Sequence, residues 1–369
     1  MNSFLRTSRR RFIGQLSITA AALALSRRLS AEEAVPARKL GIALVGLGSY
    51  ATRQLAPALK LTKLCRLAGA VTGTRDKGEK LAREYGFSEQ NVYSYETMAQ
   101  LADNPEIDIV YVVTPNAIHA ENVIAAARAG KHVICEKPFT TTVADAEKAL
   151  AACREARVKL SIGYRLHFEP HHQELIRMAR DSGFGGFNKG NGNFSFVMGR
   201  KVWRAEKQLA GGGPVMDLGV YLIQGACMAA GGIAPIAVTA KEGPKTRPDI
   251  FTDVEETMNF QLEFPSGLSF DGATSYQQSF NEIRAEGAKG FIQIRPAFSY
   301  GGIAGETHAG PLRFSLPVPQ QTLQMDDFAQ CVLENRESRV AGEMGLRDMK
   351  IIEAIYASAS SGQRVELKA

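Results

Sequence analysis

The sequence predicts an α/β protein in two parts. A parallel, doubly wound sheet is expected over residues 40–165. An α+β part with a large, mainly antiparallel open sheet is expected over residues 166–369. Three observations predict this. Apolar runs alternate with helical patterns beyond Leu40, the hydrophobic period changes to two after about residue 166, and a Gly-x-Gly-x-x-Ala turn follows the first apolar run. A chain of 369 residues is long enough for two such cores.

Residues 40–45 carry no charge and read as a buried parallel strand. Residues 52–62 read as a helix, 66–71 as a strand, and 77–85 as a helix closed by Gly86. Residues 107–113 form the next buried strand, followed by a helix at 120–129 that ends at Gly130. A strand at 133–135, a helix at 143–157 and a strand at 160–164 complete the alternation. In the second part, residues 194–198, 258–264, 268–276, 280–286 and 291–295 alternate apolar and polar side chains. Pro265-Ser266-Gly267 and Ala288-Lys289-Gly290 are the turns between some of them. A long helix is expected at 214–230, with Gly211-Gly212-Gly213 before it, Pro214 in its first turn and Gly231-Gly232 after it. Helices at 325–335 and 345–358 follow; the stripe Ile351-Ile352…Ile355-Tyr356 is core packing. The glycine-rich stretches 183–192 and 301–310 read as surface loops.

The 45 % hydrophobic and 22 % charged residues are those of a globular protein, which excludes a disordered or fibrous chain. The net charge of +6 points at first to a polyanionic partner. Its position removes that reading. Residues 1–31 hold Arg6, Arg9, Arg10, Arg11, Arg27 and Arg28 and no acid; without them 38 bases face 38 acids. No nucleic-acid partner is therefore expected. The same residues have the layout of a signal peptide: Ser8-Arg9-Arg10-Arg11-Phe12, an apolar run from Ile13 to Leu25, then small residues at Ser30-Ala31. The run is short of the roughly 20 residues that span a bilayer, so no stable membrane association is expected after its removal. Ser-Arg-Arg-x-Phe is the pattern of a twin-arginine signal, which exports folded proteins, and the expected destination is the periplasm. Five scattered cysteines without a Cys-x-x-Cys pair read as buried free thiols.

Gly46-Leu47-Gly48-Ser49-Tyr50-Ala51 lies between a strand and a helix, the context in which such a turn cradles a dinucleotide pyrophosphate. Gly46 permits the tight turn, Gly48 a close approach, and Ala51 tight helix packing. NAD sites place an acid at the tip of the second strand; here Val71 is followed by Thr72-Gly73-Thr74-Arg75-Asp76-Lys77. Thr72, Arg75 and Lys77 suit the 2′-phosphate of NADP, which a carboxylate would repel. Asp76 reverses this preference if the strand runs longer.

Cys135-Glu136-Lys137-Pro138 follows a buried strand, as Thr114-Pro115-Asn116 with His119 follows the one before. Asp217 and Tyr221, four apart, share a helix face. With Gly163-Tyr164-Arg165 and the segment Leu209 to Tyr221, these motifs resemble the glucose-fructose oxidoreductase / inositol dehydrogenase family of sugar oxidoreductases, over nearly the whole chain from Leu40. The likeness is strongest to its glucose-fructose and aldose-aldose oxidoreductase branches; inositol-type members carry His at the position of Tyr221.

The resemblance implies a Rossmann domain joined to a mainly antiparallel sheet, with a nicotinamide between them and sugars as substrates. It implies Lys137 and Tyr221 as the catalytic pair, with Asp217 orienting them or taking a sugar hydroxyl. Arg165, Trp203 and Arg204 match cofactor-contacting positions, with Tyr300 nearby. A free tyrosine titrates near pH 10, so a cation such as Lys137 is needed beside a tyrosine that exchanges protons at neutral pH. A cis Lys137-Pro138 bond would fix the lysine's direction. His167, His171 and His172 have the spacing of a metal pair but lack a third ligand, and no metal is expected.

An exported enzyme has no free NADP(H) pool to draw on. The expectation is a tightly held cofactor and ping-pong exchange, with one aldose oxidised at C1 to its lactone and a second sugar reduced to a polyol. An ordinary NAD(P)-dependent sugar dehydrogenase with exchangeable cofactor and a non-catalytic dinucleotide-binding sensor are the alternatives. The family also implies a homo-oligomer. About eight residues separate Ala31 from Leu40, too few for the N-terminal arm on which the family tetramer is built, so a dimer through the open sheet is preferred.

Overall fold

The computed structural model describes residues 38–367, and the leader at 1–31 lies outside them. The first sheet has six parallel strands: β1 (Leu40–Val45), β2 (Cys65–Val71), β3 (Val92–Tyr93), β4 (Ile109–Val112), β5 (His132–Cys135) and β6 (Leu160–Ile162). Their order is β3-β2-β1-β4-β5-β6. Both faces are covered, which is why the strands read as unbroken apolar runs. Ile42 and Leu44 pack on one side with Leu55, Leu81 and Phe328; Ala43 and Val45 pack on the other with Val123 and Ala126.

The register aligns the strand ends. Val45 lies beside Val71 and Val112, and Val112 beside Cys135. The turns after β1, β2, β4 and β5 therefore open on one edge, around the point where the strand order reverses. In open α/β sheets ligands bind there.

The second sheet has nine strands: β7 (Lys189–Ser195), β8 (Ala237–Glu242), β9 (Thr257–Glu263), β10 (Ser269–Ser275), β11 (Phe280–Gly287), β12 (Gly290–Ile294), β13 (Gly305–Thr307), β14 (Gly310–Leu312) and β15 (Val365–Glu366). Their order is β14-β13-β12-β11-β7-β10-β9-β8-β15, antiparallel throughout except for β7 beside β10. Helices Val220–Ala229 and Gly342–Ser361 cover one face. The other is polar and open, with Asn193, Lys241, Gln261 and Asp271 along a broad hollow.

Several expectations are corrected. The stretch 183–192 is not all loop, because β7 begins at Lys189 and runs through the middle of the sheet. Phe270 occupies the space a Cβ at Gly190 would need, and Leu222 that at Gly192. The apolar cover of this strand thus comes from its neighbours. The stretch 301–310 holds β13 and the start of β14. The strand expected at 194–198 ends at Ser195. The helix expected to reach 157 stops at Glu155, and Arg157 takes φ 57°. A helix at Pro170–Arg180 carries no expectation from the sequence; Glu169 caps it by accepting from His172 N at 3.0 Å.

Helix Gln320–Leu333 lies against the first sheet, where Met325 and Phe328 join its core. Residue 340 also pairs with that sheet's edge, Ile162 N donating to Val340 O at 2.8 Å. All five cysteines are buried. Among the described residues no helix is long and apolar enough to cross a membrane.

Candidate active site

The edge of the first sheet begins the site. Gly46 takes φ 94°, and a Cβ there would stand 3.0 Å from Thr114 Cγ2 and the Val113 carbonyl. Only glycine fits both the angle and the space. Gly48 is exposed, with nothing within 4 Å of where its Cβ would be. Ser49 is exposed beside it, Leu47 and Tyr50 are partly buried, and Ala51 is fully buried in the helix that follows. That helix opens in wide π-turns at Ala51–Leu55 and continues as Ala56–Leu59. Thr114 Oγ1 is buried at the turn with no protein partner. An open glycine cradle at a helix start, beside an unsatisfied hydroxyl, fits a dinucleotide pyrophosphate.

Strand β2 ends at Val71, and Asp76 falls in the first turn of the helix Arg75–Tyr85. No carboxylate stands at the strand tip. Thr72 Oγ1 accepts from Thr74 N at 3.1 Å, Arg75 Nε is held by Glu79 at 2.7 Å, and Lys77 is exposed.

The next two turns lock together. His119 is buried with Nδ1 2.9 Å from Pro138 O and Nε2 2.9 Å from Thr114 O, while burial keeps its pKa below the usual histidine value. Its ring therefore braces the loops that hold Thr114, Pro115 and Lys137. Asn116 Nδ2 donates to Ala210 O at 2.8 Å, joining this edge to the helix before the triple glycine. The Lys137-Pro138 peptide is cis. Glu136 points inward. Its carboxylate accepts from Tyr111 OH at 2.8 Å and lies against Gly163, and burial raises its pKa against the pull of Lys137.

Lys137 points the other way, to the helix of Asp217 and Tyr221. Its Nζ donates to Asp217 O at 3.0 Å, lies 3.5 Å from Asp217 Oδ1, and sits 4.7 Å from the Tyr221 ring centre. The widened turn Val215–Gly219 presents Asp217, and the regular helix begins at Val220. Asp217 Oδ2 also lies 3.2 Å from Arg204 Nε and accepts from Tyr276 OH at 3.2 Å. Burial would raise this carboxyl, but Lys137, Arg204 and Tyr276 hold it below its ordinary value. Asp217 is thus a fixed anion that aims Lys137. Arg204 in turn stacks on Trp203 at 4.4 Å.

Arg165 closes the other side of Tyr221. One terminal nitrogen donates to Phe298 O at 2.6 Å and lies 3.5 Å from Tyr221 OH; the other donates to Ser299 O at 3.0 Å and to Gln320. Tyr221 therefore has a lysine and an arginine within cation–π range of its ring. Tyr300 lies 4.6 Å from Arg165 and packs on Tyr50 at 5.8 Å, which links the second part to the glycine turn. Burial drives the Tyr50 and Tyr300 hydroxyls above the usual tyrosine range, so both stay neutral.

The sequence-predicted residues thus form one connected cluster around Lys137, Asp217, Tyr221, Arg165, Arg204, Tyr300 and Tyr50. Thr72, Arg75 and Lys77 stand apart from it after β2. Sequence reasoning missed Tyr276, Gln320 and Glu255. Glu255 accepts from Gly213 N at 2.9 Å, Val215 N at 3.0 Å and Tyr356 OH at 2.9 Å. Tyr356 is therefore more than core packing. The only available signal was Gly211-Gly212-Gly213, whose space Thr141, Tyr356 and Glu255 fill.

The three histidines are bound within the protein. His171 and His172 share the Glu169 carboxylate at 2.6 and 2.7 Å, and His167 Nε2 meets Gln224 Oε1 at 2.7 Å. Among the described residues no group of three His, Cys, Asp or Glu is placed to hold a metal. Burial pushes His167 down to about 4, helped by the Arg347 and Arg339 cations. The unfolded chain binds this proton near pH 6.5, so the contribution is whole above that pH and fades as pH falls toward 4. The loss is roughly 3 kcal/mol. Denaturant midpoints between pH 7 and 4.5 should fall less for His167→Gln than for the wild type; equal slopes would count against this role.

Fold and site together define the class: an oxidoreductase built around an NAD(P)-binding Rossmann domain. The chain belongs to the Gfo/Idh/MocA family. Residues 40–164 match its "Oxidoreductase family, NAD-binding Rossmann fold" and residues 172–293 its C-terminal domain. The D-xylose 1-dehydrogenase [NADP(+)] of Haloarcula marismortui is 30 % identical over 363 residues, spanning 92 % of this chain and 97 % of that protein. The solved aldose-aldose oxidoreductase of Caulobacter crescentus, complexed with glycerol, is 42 % identical with a TM-score of 0.87, covering 89 % of this chain and 100 % of that one. Levoglucosan dehydrogenase, solved with NADH and levoglucosan, shares the fold at TM-score 0.77 and 20 % identity, over 89 % of this chain and 99 % of that one.

Proposed function

We propose that this protein is a sugar oxidoreductase that retains NADP(H) and alternates between two sugars. One aldose is oxidised at C1 to its lactone, and a second sugar is reduced to a polyol. The observation that carries this reading is the tyrosine flanked by two cations beside the glycine turn, Tyr221 between Lys137 and Arg165. The likeness to an aldose-aldose oxidoreductase and to an NADP-dependent xylose dehydrogenase supports the sugar class.

Oxidation at C1 removes a hydride from carbon and a proton from the hydroxyl; reduction of the second sugar adds both back. A nicotinamide held there would supply the hydride acceptor and donor. As the phenolate, Tyr221 takes the hydroxyl proton, and as the resulting phenol it returns that proton to the second sugar. Lys137 and Arg165 stabilise the phenolate oxygen, and Asp217 keeps Lys137 in place. Gly46 to Tyr50 and Thr114 would hold the pyrophosphate, and Thr72, Arg75 and Lys77 the 2′-phosphate.

The twin-arginine pattern at residues 8–12 supports export to the periplasm with the cofactor already inside. The polar open face of the nine-stranded sheet is the surface through which we place a dimer. The purified protein should carry NADP without supplementation and release about one equivalent on denaturation. Adding an aldose should raise the absorbance of reduced nicotinamide, and adding the second sugar should lower it. A protein that purifies empty and needs added cofactor for every turnover overturns the retained-cofactor reading.

A further inference from the structure

On the helical side of the second sheet, helices Pro170–Arg180, Val220–Ala229 and Gly342–Ser361 contribute to a hollow of about 360 Å³. Its polar wall is Arg180, Arg339, Arg347, His167, Gln173 and Gln224, and among the described residues no acidic side chain lines it. That size suits a small ligand. Of the three guanidinium groups around the hollow, only Arg347 is held within 3 Å of a carboxylate among the described residues.

Arg347 gives two nitrogens to Asp348 Oδ1, at 2.9 and 2.8 Å, while the other oxygen of Asp348 is taken by Gln224. Arg339 donates to His167 O at 3.4 Å, lies 5.1 Å over the Phe168 ring and reaches Asp327 only at 3.9 Å, while Arg336 holds that carboxylate closer, at 3.0 Å. Arg180 donates Nε to Gly231 O at 2.8 Å and pairs with no carboxylate among the described residues. His167, between these cations, is held in its neutral form. The wall thus presents positive charge and planar donors in excess of what the protein satisfies. Guanidinium forks match carboxylate and phosphate oxygens.

We propose that this hollow binds a small organic oxyanion, a carboxylate or a phosphate no larger than a sugar acid, held chiefly by Arg180 and Arg339. It is a second site, separate from the reaction centre, and does not depend on the sugar reading. The two are nonetheless neighbours. His167, Gln224 and Met228 also line a narrow gap beside Lys137 and Tyr221, too small for a ligand. Gln224 lies one helical turn past Tyr221.

Calorimetric titration of the NADP-saturated protein tests this, with sodium gluconate, citrate and potassium phosphate as probes and chloride at matched ionic strength. At least one oxyanion should bind saturably at about one site per chain. Phosphate alone marks a phosphate ligand, and gluconate or citrate alone a carboxylate. Arg180→Gln and Arg339→Gln are at exposed positions and should fold; each should weaken binding about tenfold or more, the scale of one charge-assisted contact. Lys137→Met should leave the affinity unchanged. No saturable binding, equal binding of chloride, affinity preserved in both arginine variants, or loss in Lys137→Met would each overturn the proposal.

Discussion

Tyr221→Phe is expected to lower kcat by about 10²–10⁴-fold, the usual contribution of a positioned proton-exchanging group, while KM and bound NADP change little. The ring contacts survive the substitution. Phe194 meets the ring edge-on at 5.4 Å, Phe298 lies at 5.9 Å, and Lys137 and Arg165 stand over its faces. What is lost is the hydroxyl 3.5 Å from Arg165, the atom assigned to the proton exchange. Far-ultraviolet dichroism and cofactor content should therefore match the wild type. Single-turnover reduction of the bound nicotinamide by an aldose should be slow in the variant. A rate within about threefold of wild type would remove Tyr221 from the proton transfer and favour a dinucleotide-binding sensor, in which turnover is not the function.

The cluster around Tyr221 was readable in the sequence only where the chemistry is carried by side chains in local motifs. Lys137 follows a buried strand, Asp217 and Tyr221 share a helix face, and Gly46 to Ala51 joins a strand to a helix. Each of these is a short-range pattern. Arg165 illustrates the limit. Its acceptors include the main-chain oxygens of Phe298 and Ser299, more than 130 residues away, and a carbonyl has no sequence signature. Tyr276, the third partner of Asp217, sits in a strand-end pattern that signals only burial. The same limit applies to the fold. Ile109–Val112 is legible because both faces of its sheet are covered. Lys189–Ser195 is not, because its glycines leave the apolar contact to Phe270 and Leu222. Its alternation is therefore written in other segments.

Glu255→Ala is expected to destabilise the protein by roughly 2–6 kcal/mol, at about 1–3 kcal/mol for each of the two buried amides left without an acceptor. The carboxylate is 5 % exposed and serves the amides of Gly213 and Val215 and the Tyr356 hydroxyl. Those two amides belong to the turn that starts the helix of Asp217 and Tyr221. Burial raises the pKa of Glu255 against these donors, so the group sits at some electrostatic cost and its value lies in the geometry it imposes. Glu255→Gln keeps one acceptor but turns an NH2 group toward a donor, and should lose less stability, about 1–3 kcal/mol. The two variants separate a structural brace from a positioning one. If Glu255 only stabilises the fold, the folded fraction of Glu255→Gln should turn over at the wild-type rate per bound cofactor. If it sets the direction of the helix, kcat per folded chain should fall while KM holds, because Lys137 Nζ meets Asp217 through the main chain of that turn as well as its carboxylate. The second outcome is the one the contacts favour: Gly213 and Val215 are fixed by Glu255, and two residues after Val215 the same turn delivers the backbone oxygen that holds the lysine.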